Sequence, residues 1–298
     1  MVVKRVKRVD VLRPSVSAPG VGGGKHLIHC AKGRAGHHLP TGTYETRAVF
    51  AVRGGSLRDK RHFAATAILV QHPKGDLLID AGFGCDVAAH VAMLPRFVRA
   101  PYRVTQTVSE QLDASGYDRS RLLGVLVTHS HWDHVSGLDT LQVPIWMNLA
   151  ERQYAAEDPD GKVFLTVSEG HQIREYEFDG PAYLGFVSSH DVYGDGCVVI
   201  ALAGGHTTGS VVVFVTVPSG QRYAFIGDLT WQSDGIRRRV ERPWLLRKLA
   251  DSDPEQVRAG LSRAVALADL MQVIPAHDRD AYQGIPALTA RHRLHGGS

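Results

Sequence analysis

Residues 122–134 read Leu122-Leu123-Gly124-Val125-Leu126-Val127-Thr128-His129-Ser130-His131-Trp132-Asp133-His134. An apolar run of strand length stops at three histidines and an aspartate within six residues, which reads as a metal cradle at the end of a buried strand. A divalent ion of borderline hardness needs neutral imidazole nitrogens and a carboxylate held near one point by stiff backbone. His129 and His131 are one residue apart, so in extended or turn geometry both rings project to the same side. Asp133 and His134 follow after the chain has begun to turn and can address a second location. Two ions are therefore expected rather than one. A lone His-X-His is weak evidence, because polar loops collect histidines for local hydrogen bonds, but four ligand types this close leave few such explanations.

The remaining ligands are sought where other strands end. Val198-Val199-Ile200-Ala201-Leu202 stops at Gly204-Gly205-His206-Thr207-Thr208-Gly209, where the glycines permit a tight turn. His206 would complete a three-histidine site with His129 and His131. Tyr223-Ala224-Phe225-Ile226 runs into Gly227-Asp228, and a carboxylate there can bridge two ions, one oxygen to each. Met271-Gln272-Val273-Ile274-Pro275 delivers His277, which with Asp133 and His134 would hold the second ion. Taken singly, His206, Asp228 and His277 are more simply read as surface or capping residues. Their order and context change that reading.

The series His129-X-His131-X-Asp133-His134, Gly205-His206-Thr207-Thr208-Gly209-Ser210, Gly227-Asp228 and Pro275-Ala276-His277-Asp278 resembles the metallo-β-lactamase superfamily of dinuclear hydrolases. Leu77-Leu78-Ile79-Asp80-Ala81-Gly82 looks like that superfamily's first motif, in which the aspartate supports the histidine ligands from behind. The resemblance spans about residues 60 to 280 and implies an α+β fold, an αββα sandwich. It also implies two zinc ions per chain, with manganese, cobalt or iron compatible with the same N/O ligand set. The chemistry implied is hydrolysis by a metal-bridging hydroxide, with Asp133 orienting it and passing a proton to the leaving group. A diiron redox role fits less well, because members with that role carry glutamate where this chain has His131.

For substrate, the resemblance implies less. Asp228 argues against a β-lactamase, since those enzymes generally carry cysteine or serine there. Lactonases that open acyl-homoserine lactones share the aspartate but usually have a tyrosine three residues later, where this chain has Trp231. An indole has no phenolic oxygen, so that contact is altered or lost. Trp231 is either a pocket wall or core. Residues 236–248 mix six basic residues with Trp244 and two leucines; they suit a lid over the site, although a solvated surface turn is the plainer account. Phe186 and Tyr193 are further candidates for substrate contact. A lactone or related ester is the expected substrate, with a glyoxalase-type thioester hydrolase, a β-lactamase-like enzyme, a phosphodiesterase and a non-catalytic zinc-stabilised scaffold as alternatives.

Composition is compatible with these readings. The chain has 298 residues, enough for a large core, and a net charge of +4. Residues 1–13 carry five basic residues against Asp10, which is also +4, so the rest is close to neutral and no basic groove for nucleic acid is evident. The apolar runs are strand-sized, and the basic opening has no apolar segment after it, so a cytoplasmic enzyme acting on a small molecule is expected. The oligomeric state stays open, a homodimer included. Cys30, Cys85 and Cys197 suggest no disulfide framework and read as three free thiols. Residues 1–50 read as a glycine-rich irregular extension, with His37 and His38 on the surface, and residues 51–298 as the hydrolase domain. Within it, Pro73-Lys74-Gly75-Asp76 suits a turn between antiparallel strands, and Val104 to Leu112 a first helix ending near Gly116. Asp253-Pro254-Glu255-Gln256 opens a helix by its capping pattern.

Overall fold

The computed structural model describes residues 36–289. Seven strands form one mixed sheet: β1 (His37–Arg47), β2 (Lys60–Val70), β3 (Asp76–Ile79), β4 (Tyr102–Val104), β5 (Leu122–Leu126), β6 (Ile145–Met147) and β7 (Ile173–Glu175). Their spatial order is β4-β1-β2-β3-β5-β6-β7. The second sheet holds β8 (Ser189–Asp191), β9 (Val198–Leu202), β10 (Val211–Thr216), β11 (Arg222–Phe225) and β12 (Gln272–Ile274), in the order β12-β11-β10-β9-β8.

Period-two alternation assigns each strand residue to a layer. On β10, Val211, Val213 and Val215 meet Ile68, Ile79 and Leu126 of the first sheet in the core between the sheets. Val212 and Phe214 face outward with Val199 and Ala201, against Ala264 and Leu267 of a helix over Pro254–Leu267. On the outer side of the first sheet, Leu69, Leu78, Val125 and Ile145 pack with Leu112, Ala155 and Phe164 of helices Val108–Ser115, Leu149–Glu157 and Lys162–Val167. The result is the helix-sheet-sheet-helix sandwich expected from the sequence.

Several local expectations hold. β2 and β3 are antiparallel around a turn whose Gly75 takes φ +121°, a conformation that favours glycine. Asp253 caps the last long helix, its side chain accepting from the N–H groups of Glu255 and Gln256. Others need correction. Residues 37–47 are not irregular: β1 pairs with β2 along its length and with β4 on its other edge. His38 belongs to that strand and its Nδ1 lies 2.8 Å from the Ile285 carbonyl. The boundary expected at residue 50 therefore falls after a strand integral to the sheet, and the glycine-rich stretch 20–24 lies outside the described residues. The first helix of the region 104–112 begins at Val108, because Thr107 and Glu110 form a reciprocal capping box while Tyr102–Val104 is drawn into the sheet by β1. Cys85 is a free thiol, whereas Cys197 is disulfide-bonded, which corrects that expectation; Cys30 lies outside the described residues.

Candidate metal centre

β3 and β5 run parallel, so their carboxyl ends reach the same edge of the sandwich, and two of the motifs follow those ends. Asp80 comes directly after β3, the His129–His134 stretch follows β5, and His277 follows β12. Gly205 supports the turn after β9: it takes φ +90°, and a Cβ there would meet the Val257 amide nitrogen at 2.6 Å. His206 is thereby held against the first residues of the helix over Pro254–Leu267.

All seven expected ligands converge. His129, His131 and His206 form one group, and Asp133, His134 and His277 another, with the ligand atoms of each group within 4.8 Å of one another. His206 Nε2 lies 3.0 Å from His131 Nδ1. Asp228 stands between the groups with its oxygens divided. Oδ2 is 3.4 Å from His206 Nε2 and 4.0 Å from His129 Nε2, whereas Oδ1 is 3.0 Å from His277 Nε2 and 3.5 Å from His134 Nε2.

The nitrogen of each histidine that faces away from this centre is pinned. His134 Nδ1 meets Asp80 Oδ2 at 2.8 Å, His206 Nδ1 meets Asp251 Oδ1 at 3.0 Å, and His277 Nδ1 meets the Ala64 carbonyl at 2.8 Å. His129 Nδ1 lies 3.2 Å from Thr128 Oγ1, and His131 Nε2 lies 3.1 Å from the Tyr154 hydroxyl. This network leaves His129, His134 and His277 Nε2 and Asp228 Oδ1 buried with no hydrogen-bond partner among the described residues. Buried polar atoms are normally satisfied, and four orphans aimed at one space fit divalent cations.

Asp80 supports this arrangement at some backbone strain. It sits at φ +57°, its Oδ1 accepts from the Thr128 N–H at 2.7 Å, and its Oδ2 accepts from Thr128 Oγ1 at 2.9 Å. Glu151, buried, accepts from Ser130 N–H and Oγ and from Thr207 Oγ1, tying the His129–His131 turn to the His206 turn.

Electrostatics follow from burial and charge. Burial, reinforced by neighbouring imidazoles, holds His129 well below the ordinary histidine range, and burial with His206 brings His131 down to about 4, so both imidazoles are neutral near pH 7, the form that can bind a metal. Burial opposes the charged form of His134 also, but Asp80 and Asp228 outweigh it and raise its pKa. Against burial, His277 and His134 hold Asp228 well below the usual carboxylate range. Burial and the carboxylates of Asp133 and Asp228 push the Tyr44 phenol well up, so it stays protonated.

The candidate substrate residues divide. Trp231 belongs to the centre: its Nε1 donates to Asp228 Oδ2 at 2.7 Å, and its ring contacts the Arg242 guanidinium and Phe63. Trp244 is 64 % exposed on the helix Trp244–Ala250, with Lys248 Nζ 4.4 Å from its ring centroid. Phe186 is buried on the outer face of the second sheet against Phe214. Tyr193 stacks on His72 and donates to the Gly75 carbonyl, at the end of β3 opposite Asp80. Those two are packing residues, because apolar and aromatic type alone does not say which face of a sheet a residue meets.

Sequence reasoning missed Tyr44, Tyr154, Glu151 and Asp251, whose partners lie far along the chain. Within the basic segment 236–248 it also missed that Arg242 turns inward. That guanidinium is buried, pairs with Asp251 and donates to the Asp228 carbonyl at 2.6 Å.

Residues 61–277 match the family described as the metallo-beta-lactamase superfamily. The chain belongs to that superfamily and is a metal-dependent hydrolase. A probable metallo-hydrolase of Mycobacterium tuberculosis is 28 % identical over 236 residues, covering 72 % of this chain and 75 % of that protein. Among solved structures, an N-acyl homoserine lactone hydrolase with N-hexanoyl-L-homoserine bound at its catalytic metal centre superimposes with a TM-score of 0.68 at 16 % identity. That alignment covers 86 % of this chain and 98 % of the other. A mutant of B. thuringiensis AiiA with N-decanoyl-L-homoserine bound gives 0.67 at 16 % identity, covering 86 % and 98 % of the two chains. These two likenesses establish a shared fold.

Proposed function

We propose that this chain is a two-zinc, cytoplasmic hydrolase that opens a lactone or related ester of small size. The observation that carries the reading is the division of the Asp228 oxygens between two histidine groups, which suits a carboxylate shared by two ions. His129, His131 and His206 would hold one, Asp133, His134 and His277 the other. When bound, the ions supply a water acidified to near neutrality and a Lewis acid for the carbonyl oxygen. Asp133 would take a proton from the water and return it to the leaving oxygen as the ring C–O bond breaks.

The surroundings favour an apolar uncharged substrate. Tyr44, Phe63, Trp132 and Trp231 are in ring contact beside the centre. Two cations near the centre are paired, Arg242 with Asp251 and Arg61 with Asp59 and Asp234, which leaves neither free to neutralise a phosphodiester. The lactone-hydrolase structures with bound products agree with this choice.

The test is proton release from a panel of γ- and δ-lactones, acyl-homoserine lactones of several chain lengths included, by zinc-loaded protein. Saturable turnover is expected. No turnover on the panel, with activity on thioesters or phosphodiesters instead, would overturn the substrate assignment. Asp228→Ala and His134→Ala are each expected to lower metal content and abolish turnover while circular dichroism stays native. Full activity in either variant would overturn the ligand assignment.

A further inference from the structure

Trp231 has committed its one N–H to Asp228. An indole has no second donor and no acceptor, so Asp133 must find its hydrogen bond elsewhere. It finds it on β1. The Tyr44 phenol donates to Asp133 Oδ2 at 2.8 Å, the one hydrogen bond of that carboxylate among the described residues. The same oxygen is 3.5 Å from His277 Nε2, so the phenol addresses the oxygen that faces the second histidine group.

The placement is enforced by packing. Tyr44 lies in register with Phe63 of β2 and Tyr102 of β4. Its ring is edge-on to Phe63 at 5.2 Å and to His277 at 5.6 Å, and tilted against Trp132 at 5.5 Å. A ring fixed on three sides fixes the direction of its hydroxyl. β1 also precedes residues 61–277, so this hydroxyl comes from a part of the chain that the family match does not include.

We propose that Tyr44 is a positioning residue for hydrolysis, holding the Asp133 carboxylate in the orientation that serves the second metal and the proton transfer. The proposal rests on reading the site as a two-metal hydrolase. With Oδ2 held by the phenol on the side of His277, the Asp133 carboxylate would keep a fixed orientation both toward an ion held with His134 and His277 and for the proton transfer. As the ester is cleaved, water supplies the oxygen that bonds to the carbonyl carbon. Its proton passes by Asp133 to the leaving alkoxide, and Tyr44 keeps its own proton throughout.

Tyr44→Phe removes one oxygen and keeps the ring. Cobalt(II) titration of the metal-free protein, followed by visible absorption, should show an unchanged first binding event and a second about tenfold weaker, the scale on which outer hydrogen-bond partners act. With a hydrolysed lactone, kcat should fall by about tenfold while KM changes little. Tyr44→Leu, which also removes the ring, separates packing from hydrogen bonding. If Tyr44→Phe superimposes on the wild type in titration and in kcat, and only Tyr44→Leu melts lower, the role is packing and the proposal is overturned. Should the wild type open no lactone, a weakened second cobalt event in Tyr44→Phe still supports Tyr44 while the substrate assignment falls. Wild-type turnover with an unaltered Tyr44→Phe leaves the substrate assignment standing and removes Tyr44.

Discussion

The Arg242 guanidinium joins three parts of the centre: the Asp228 carbonyl, the Asp251 carboxylate and the Trp231 ring at 4.6 Å. Asp251 in turn fixes His206 Nδ1. Arg242→Met would leave the buried Asp251 carboxylate with His206 but without its cationic partner, and a loss of up to about 3–5 kcal/mol is expected for breaking such a pair. The pH dependence has a definite sign. Burial raises the Asp251 pKa, but Arg242 and His206 together bring it below its ordinary value. A depressed carboxylate adds stability above its unfolded pKa of about 3.9 and loses it as pH falls through the lower folded value. Removing Arg242 lifts that folded value, so acid unfolding of the metal-free variant should begin at higher pH than in the wild type. Urea midpoints measured between about pH 3 and pH 7 check this; equal acid limbs would count against it. His206 was legible because it sits in a glycine turn after an apolar run. Asp251 was not, because 45 residues separate it from His206 and nothing in its own neighbourhood marks it.

At the level of elements, what is local was readable and what depends on partners was not. The helix over Pro254–Leu267 announces itself through Asp253, Pro254 and Gln256, and the structure adds the bond from Gln256 Nε2 back to Asp253 Oδ2. Asp253→Ala should therefore lower stability by about 1 kcal/mol, read as a drop in Tm, since it leaves two N-terminal amides without their acceptor. An unchanged Tm would mean that the Asp253 N–H bond to the Gly205 carbonyl, which alanine keeps, fixes this end of the helix instead. β1 shows the opposite case. His37-His38-Leu39-Pro40-Thr41-Gly42-Thr43-Tyr44 has no sustained apolar alternation. It is a strand because β2 on one side and β4 on the other supply its hydrogen bonds. Tyr44 was missed for the same reason, because its only signal is a partner 89 residues away.

For the whole molecule, the buried polar atoms left without partners at the sheet edge predict that metal binding is coupled to folding. Chelation should lower Tm and remove turnover, and ions that bind only the folded chain should restore both, by about 2.7 kcal/mol when free metal is a hundredfold above Kd. A Tm indifferent to chelator and to added zinc would argue against a site formed on folding. No helix among the described residues is long and apolar enough to cross a membrane. The sequence by itself determined the sandwich and singled out the seven histidines and aspartates that converge at its edge, because apolar runs that end in histidine, aspartate and glycine carry both strand and candidate-ligand information within a few residues. Only the tertiary structure decided that Asp228 offers one oxygen to each histidine group, that Trp231 spends its N–H on Asp228, and that Tyr44, Tyr154, Asp251 and Arg242 surround the ligands. Tyr44 reaches Asp133 across 89 positions, Asp251 reaches His206 across 45 and Tyr154 reaches His131 across 23, and even the Trp231–Asp228 bond, only three positions long, depends on the direction packing gives the indole rather than on local spacing.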